Sequence, residues 1–333
     1  MSVAALRGEL LDQSLPLPRR FRALFSLRSV GGDASVAALL ESLSEDPSAL
    51  FKHEVAFALG QMRATGAVAA LKATLRDEGE HGMVRHEAAE ALGAIASEEC
   101  LEALETASKD ESRVVRETAE LALQRLRHKR AADDEKTGDA SVAASSKLGS
   151  AKEKLSAATA SASDSDSPYI SVDPVPAAAP DVPLETLEAT VADETAPMWD
   201  RYAAMFALRN RAAPARSAAV LGGVLAKSQS ALLKHEVCYV LGQIQDRGVG
   251  SARDALKATL EDESEHPMVR HEAAEAIGSI AAPETEALLK KFATCDDRIV
   301  AESCEVALDI MESERSGAFV PLGQIEPQSV TAA

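Results

Sequence analysis

The sequence contains few aromatic residues: Phe, Tyr and Trp together account for 3% of its 333 positions. A core with so few large rings has to be filled by aliphatic and small side chains, which let neighbouring helices approach closely. The apolar fraction is nevertheless 46%, and alanine contributes much of it. Because Ala, Leu, Glu and Arg are strong helix formers, this composition predicts a protein built from closely packed helices.

Positive charge is also scarce, and the formal net charge is −18. Binding to nucleic acid requires a Lys- and Arg-rich surface that neutralises phosphates, so we expect no nucleic-acid partner. An acidic chain is better suited to a cationic substrate or to a basic patch on another protein. Surface solubility is an alternative explanation of the same charge.

None of the four cysteines forms a CxxC pair, which leaves a zinc-ribbon or thioredoxin-like site without support. Scattered reduced thiols are typical of an intracellular protein, and we expect a cytoplasmic one. No apolar run approaches the roughly 18 residues needed to cross a bilayer, so we expect no membrane association. The N-terminal residues lack a signal-peptide pattern. The cysteines are Cys100, Cys238, Cys295 and Cys304.

Internal repeats determine the predicted organisation of the chain. Two segments of the first half recur in the second half with most of their residues retained. The matching segments are 52–62 with 234–244, and 85–95 with 270–280. The offset from His53 to His235 is 182 residues, and the offset from His86 to His271 is 185. The chain is therefore a duplication, and its two halves should be related by a pseudo-twofold axis.

Within the first half, equivalent positions fall at Phe21, His53, His86 and Glu117, with spacings of 32, 33 and 31 residues. This period is typical of a two-helix repeat, and the apolar stripe of the second helix recurs in each unit. We predict an all-α helical-repeat solenoid with two halves of four two-helix repeats each. The predicted segments are an N-terminal half (1–127), a flexible low-complexity linker (128–182), a C-terminal half (183–315) and an irregular tail (316–333).

Four glycines occupy the same place inside the second helices. Each costs about 1 kcal/mol of helix stability relative to alanine. We predict that a neighbouring helix approaches closely at these positions, with contact to a substrate as the alternative. The residues are Gly60, Gly93, Gly242 and Gly278.

A His-Glu pair opens the second helix of the two central repeats in each half, whereas the outer repeats carry other residues there. A single pair at a helix start is an ordinary surface feature, because carboxylates are favoured by the N-terminal dipole. Four pairs in register, restricted to the central repeats, indicate a shared metal site instead. The pairs are His53-Glu54, His86-Glu87, His235-Glu236 and His271-Glu272.

Two such rows facing each other across a pseudo-twofold axis bring four imidazoles and four carboxylates together. The carboxylates repel one another unless protons or cations neutralise them, and two divalent metals would do so. Two histidines with one carboxylate and open positions suit non-haem iron. Absence of thiolate disfavours structural zinc, and imidazole disfavours calcium and magnesium. Manganese or a catalytic zinc pair stays possible.

We assign three residues to each metal. One metal is assigned to His53, His86 and Glu87, and the other to His235, His271 and Glu272. Glu54 and Glu236 remain, and either bridge the metals or bind a cationic substrate group.

With these four motifs in place, the sequence resembles the deoxyhypusine hydroxylase family. The resemblance covers roughly residues 15–127 and 185–315. It implies a HEAT-repeat fold and a non-haem di-iron monooxygenase, with two Fe²⁺ ions as cofactors and dioxygen as co-substrate. The implied substrate is the deoxyhypusine side chain of translation initiation factor 5A, which becomes hypusine. The family's metal ligands correspond to the six residues assigned above, and its substrate-engaging glutamates correspond to Glu54 and Glu236.

Two alternatives compete with the hydroxylase. One is a non-catalytic HEAT-repeat scaffold, without metal or with a structural metal site, since binding is the usual role of helical solenoids. The other is a hydrolase whose two metals activate water rather than dioxygen. We expect a monomer, because the internal twofold supplies both rows of the motif from one chain.

Overall fold

The structure is a computed structural model that describes residues 1–137, 169–245 and 250–316. These residues form sixteen α-helices, three short 3-10 turns and no strand. The helices of the N-terminal half are α1 Val3–Leu11, α2 Leu17–Val30, α3 Gly32–Glu45, α4 Ala49–Gln61, α5 Val68–Arg76, α6 Gly82–Ile95, α7 Leu101–Ala107 and α8 Arg113–Thr137. Those of the C-terminal half are α9 Leu184–Ala192, α10 Met198–Asn210, α11 Pro214–Lys227, α12 Ala231–Ile244, α13 Ser251–Glu261, α14 Pro267–Ile280, α15 Glu286–Phe292 and α16 Arg298–Ser316.

The helices form two layers. The first helix of each repeat packs in an outer layer, and the second helices α2, α4, α6 and α8 stack on one another in an inner layer. Helices α10, α12, α14 and α16 repeat this inner layer in the second half. Each half therefore contains four two-helix repeats, and the predicted all-α solenoid with two matching halves is confirmed.

The inner helices close into a ring. Helix α8 contacts α10 and α12, and α16 returns to contact α2 and α4. Two equivalent hydrogen bonds join the halves: the Ser48 hydroxyl donates to Glu302 at 2.6 Å, and the Ser230 hydroxyl donates to Glu117 at 2.7 Å. Because of this closure, the inner faces of the two halves lie opposite each other across one cavity.

Serine hydroxyls fix where two of the inner helices begin. Ser48 Oγ accepts the backbone N–H of Phe51 at 3.0 Å, and Ser230 Oγ accepts that of Leu233 at 3.1 Å. Each hydroxyl thereby satisfies an amide that has no partner inside its own helix. The same two serines donate the hydrogen bonds between the halves. Each side chain therefore both caps its own helix and contacts the opposite half.

The four glycines of the inner helices lie against alanines of the next inner helix. A Cβ atom at Gly60 would lie 2.8 Å from Ala91 Cα, and one at Gly278 would lie 2.8 Å from Ala307 Cα. Gly93 and Gly242 meet alanines in the same manner. The predicted close approach of neighbouring helices is confirmed at all four positions.

The ends of the predicted linker differ from the expected flexible chain. Helix α8 continues to Thr137, so the first ten residues of 128–182 are helical. Val175 and Ala178 are buried, and the Ala178 N–H donates to the Ala203 carbonyl at 2.9 Å. This segment therefore packs into the core of the C-terminal half although it contains few large apolar residues.

Residues 138–168 of the predicted linker and 317–333 of the predicted tail lie outside the described residues. The division of the chain into independent domains stays a prediction. Within the described ranges, no helix combines the length and the apolar character that a membrane span requires.

Candidate metal centre

The four His-Glu pairs occupy the same position on four inner helices. In α4, α6, α12 and α14, the histidine is the fifth helical residue and the glutamate is the sixth. Serine caps begin α4 and α12. The Nδ1 atoms of His81 and His266 accept the backbone N–H groups of Met83 and Met268 at 3.2 and 3.1 Å at the starts of α6 and α14. The shared register explains why repeated sequence places these side chains at one level of the ring.

The four imidazoles of the motifs meet at the centre of this ring. Ring centroids of His53 and His86 lie 5.3 Å apart, and those of His235 and His271 lie 5.2 Å apart. Across the two halves, His53 lies 5.1 Å from His271 and 5.7 Å from His235. All four are buried. The structure therefore brings the histidines as close between halves as within them.

The glutamates of the pairs surround these rings. His53 Nδ1 lies 3.0 Å from Glu54 Oε1, and His53 Nε2 lies 3.3 Å from Glu87 Oε2. In the other half, His235 Nε2 lies 3.5 Å from Glu272 Oε2. Glu54, Glu87 and Glu272 are each less than 10% exposed. Each half thus presents imidazole nitrogen and carboxylate oxygen toward the same space.

Burial opposes the charged form of the four histidines and of Glu272, and so acts on the pKa of each. It lowers the pKa of His86, His235 and His271 well below the ordinary value, and neighbouring histidines lower it further. At His53, burial also opposes charge, but the adjacent carboxylates outweigh it and the pKa is raised. Burial raises the pKa of Glu272 to about 8, with a contribution from the charge of Glu54.

The chemistry of this donor set fits a pair of cations. The rings of His86 and His235 are both buried. Among the described residues, neither ring nitrogen of His86 has a hydrogen-bond partner, and Nδ1 of His235 has none. Unpartnered polar atoms in the interior are costly, and neutral imidazoles are good ligands for transition metals. Metal binding would use these nitrogens and offset the repulsion between carboxylates.

The described part of the chain contains three groups of residues that each offer possible ligand atoms within 4.8 Å of one another. They are His235, His271 and Glu272; His53, His86 and His235; and His86, Glu87 and Glu90. The first group coincides with one predicted set of three. The second takes one histidine from the opposite half, so the assignment of ligands to two separate metals stays a prediction.

Two further acidic residues, Glu90 and Glu275, were not singled out from the sequence. Both line the cavity beside the histidines, and burial raises the pKa of each well above its ordinary value. Each follows its motif histidine by four residues, and therefore lies on the same helix face. The signal was present in the sequence, because both copies of the 85–95 pattern contain this glutamate.

The cavity above the centre has a volume of about 360 Å³ and is lined by both halves. Glu54 and Glu236 face it from α4 and α12. The rings of Phe57 and Tyr239, at equivalent positions of these two helices, lie 6.3 Å apart at its side. The cavity lining therefore combines carboxylates with aromatic and apolar side chains.

The chain is similar to known proteins over nearly its whole length. A model of HEAT repeats matches residues 36–124 and 218–309. The chain is 46% identical to deoxyhypusine hydroxylase-B of Oryza sativa subsp. japonica over 325 residues, which is 97% of each protein. It is 42% identical to deoxyhypusine hydroxylase of Rattus norvegicus over 317 residues, covering 95% of this chain and 94% of the relative.

The same relationship holds for a solved structure. Human deoxyhypusine hydroxylase in complex with glycerol matches with a TM-score of 0.77 at 42% identity, over 93% of this chain and 96% of the human one. Fold, length and sequence agree with one family throughout. The chain therefore belongs to the deoxyhypusine hydroxylase family.

Proposed function

We propose that this protein is a monomeric, cytoplasmic deoxyhypusine hydroxylase that acts on the deoxyhypusine side chain of translation initiation factor 5A. The observation that carries the proposal is the convergence of four buried histidines, two from each half, on one acidic cavity. The names of the relatives support the reaction. Closure of the inner ring lets a single chain supply both halves of the centre, which supports a monomer.

Two iron ions are the proposed cofactors. Their proposed ligands are His53, His86 and Glu87 for one iron, and His235, His271 and Glu272 for the other. Two bound irons would supply activation of dioxygen: with two electrons from an external reductant and two protons, one oxygen atom enters a carbon–hydrogen bond and the other leaves as water. The chain contributes fixed donor atoms on rigid helices, so the reacting groups are held in place by its own backbone.

Glu54 and Glu236 are proposed to hold the cationic amine of the substrate, with a bridging role between the metals as the alternative. Both are 5% exposed. Burial, and then the charge of Glu90, raise the pKa of Glu236 well above its ordinary value. A bound ammonium group favours the ionised carboxylate and reverses this shift. The aliphatic stem of the substrate would pack on Phe57 and Tyr239.

The test is iron quantification and hydroxylation of deoxyhypusine-bearing factor 5A by the wild-type protein and two histidine variants. We expect about two irons per wild-type chain, and loss of iron and of product formation in His53→Ala. The matched control is His81→Ala, which removes a helix cap outside the centre and should retain both iron and activity. A thermal unfolding measurement on each variant separates loss of ligands from loss of folding.

The same experiment discriminates the alternatives. A scaffold would bind no metal, or would retain the partner protein in His53→Ala. A two-metal hydrolase would contain metal but would give no absorption change when the reduced protein meets oxygen. Wild-type protein that binds factor 5A without hydroxylating it under reducing, aerobic conditions would contradict the proposed function.

A further inference from the structure

The segment Ser171–Pro174, which follows the undescribed part of the linker, lies on the cavity of the metal centre. Its four residues line this cavity together with side chains from both halves. We call this segment the strap. Of the described residues that line the cavity, those of the strap alone come from neither repeat half, so the internal duplication does not account for them.

Two equivalent glutamines hold the strap. Gln61 of α4 forms two hydrogen bonds with the backbone of Val172: its Nε2 donates to the carbonyl at 3.2 Å, and its Oε1 accepts the N–H at 2.8 Å. Gln243 occupies the matching position of α12, and its Nε2 donates to Ser171 Oγ at 3.3 Å. The strap is therefore bound to both halves at once, directly beside the Phe57–Tyr239 contact.

A buried ion pair anchors the strap to the C-terminal half. The guanidinium of Arg209 donates to both carboxylate oxygens of Asp173, at 3.0 and 2.6 Å. The ring of Tyr169 covers the same guanidinium, with the centroid 4.4 Å away. Arg209 is 4% exposed. The Arg209 guanidinium is thus held between the Asp173 carboxylate and the Tyr169 ring.

Within residues 1–137, 169–245 and 250–316, no equivalent of the strap lies on the matching positions of the N-terminal half. Arg28 corresponds to Arg209 in the duplication, and among the described residues it has no carboxylate partner. Its guanidinium lies 5.4 Å from the ring of Phe25 and 6.0 Å from that of Phe57. Phe25 and Arg28 are partly exposed and line the cavity, whereas their counterparts Phe206 and Arg209 do not.

We propose that the strap closes the C-terminal side of a nearly twofold-symmetric cavity, so that the amine chain of a protein substrate enters beside Phe25 and Arg28. The inference rests on the proposed function for the identity of the substrate. A symmetric centre would accept an asymmetric chain from either of two sides. The strap removes one of them, and thereby selects which half of the site faces the substrate protein.

The test is a double-mutant cycle. Arg28→Trp places a bulky ring at the proposed entrance, and Asp173→Ala releases the strap. Gln61→Ala provides a second release that leaves no buried charge unpaired. Binding of deoxyhypusine-bearing factor 5A by calorimetry and kcat/KM for its hydroxylation are both measured, with iron content as the folding control. Asp181→Ala, at an exposed carboxylate of the same inter-half segment, is the matched control.

In the wild-type background, Arg28→Trp should weaken binding and lower kcat/KM at least tenfold, mainly through KM, with iron content unchanged. In either released background the same substitution should cost less than threefold, because a second side is then open. If the strap had only a structural role, the losses in kcat/KM from Arg28→Trp and from the strap-releasing substitution would be independent, and their free energies would add.

Equal losses in all backgrounds, or no loss from Arg28→Trp alone, would overturn the inference. Binding that follows the expected pattern without hydroxylation would instead contradict the proposed function and leave the entrance assignment standing. Absence of both binding and hydroxylation in the wild-type protein would refute both proposals.

Discussion

The close packing of inner helices predicts opposite effects for two glycine-to-alanine substitutions. In Gly278→Ala, the added Cβ would lie 2.6 Å from the Ala307 carbonyl oxygen and 2.8 Å from its Cα. Carbon atoms pack favourably at about 3.5–4.0 Å, so α16 would have to retreat by roughly 1 Å. Because the obstructing atoms are backbone, no side-chain rotation relieves the contact.

The magnitude follows from two opposing contributions. Overpacking of a tight core costs about 1–3 kcal/mol, and the backbone contact at Gly278 places it in the upper part of this range. Replacing a helical glycine by alanine contributes about 1 kcal/mol in the favourable direction. We therefore expect Gly278→Ala to destabilise the protein by about 1–2 kcal/mol.

Gly223→Ala is the matched control, because this glycine also lies in a helix but has no atom within 4 Å of the added Cβ. It should stabilise the protein by up to about 1 kcal/mol. The assay is urea unfolding of both variants at equal metal content, compared by transition midpoint and slope. Midpoints that rise for both variants would refute the close approach, and with it the reason for glycine in the motif.

Two further outcomes follow from the centre and from the contact between halves. Burial raises the pKa of Glu272 from 4.5 to about 8. Anaerobic iron loading at pH 7 should release protons, because a ligating carboxylate must be ionised. Calorimetry in buffers of different ionisation enthalpy should show this release shrinking as the pH rises past 8. In the metal-free protein the same group should lower stability as the pH rises from 4.5 to 8, since the unfolded chain gives up its proton first. Because burial lowers the pKa of three histidines and so changes stability in the opposite direction, the comparison is with Glu272→Gln. An identical pH dependence of stability in the two proteins would contradict the shift. Ser230→Ala removes both a helix cap and the hydrogen bond to Glu117, and should cost about 1–3 kcal/mol in urea unfolding. The exposed control Ser264→Ala should cost far less, and equal losses would show that the contact between halves contributes nothing.

The fold was predictable because the spacing of equivalent residues along the chain shows the duplication. The offsets of His53 and His86 from their copies, 182 and 185 residues, show the duplication, and the repeat period indicates which helices stack. The register was predictable for the same reason: a pair at the same position of each inner helix must come to the same level of a solenoid. Convergence of the four histidines additionally requires the two rows to face each other, which the closed ring of inner helices provides.

Features outside the repeat could not be predicted in this way. The strap has no copy in the chain, and its composition resembles an unstructured linker. Its place on the cavity depends on Gln61, Gln243 and Arg209. These residues are distant from it in sequence, and their residue types do not indicate such a contact. Glu90 and Glu275 are a different case, since both lie within the repeated pattern, four residues after a motif histidine and on the same helix face, so they were predictable from the sequence.

Closure of the inner helices into a ring has a consequence for how this protein can change. An open solenoid can gain or lose repeats at its ends, because every unit meets only its neighbours. Here α16 must reach back to α2, and the paired histidines must fall on opposite sides of one centre. An added repeat would separate α16 from α2 and the histidines of one half from those of the other. The number of repeats is therefore set by the cavity that they enclose.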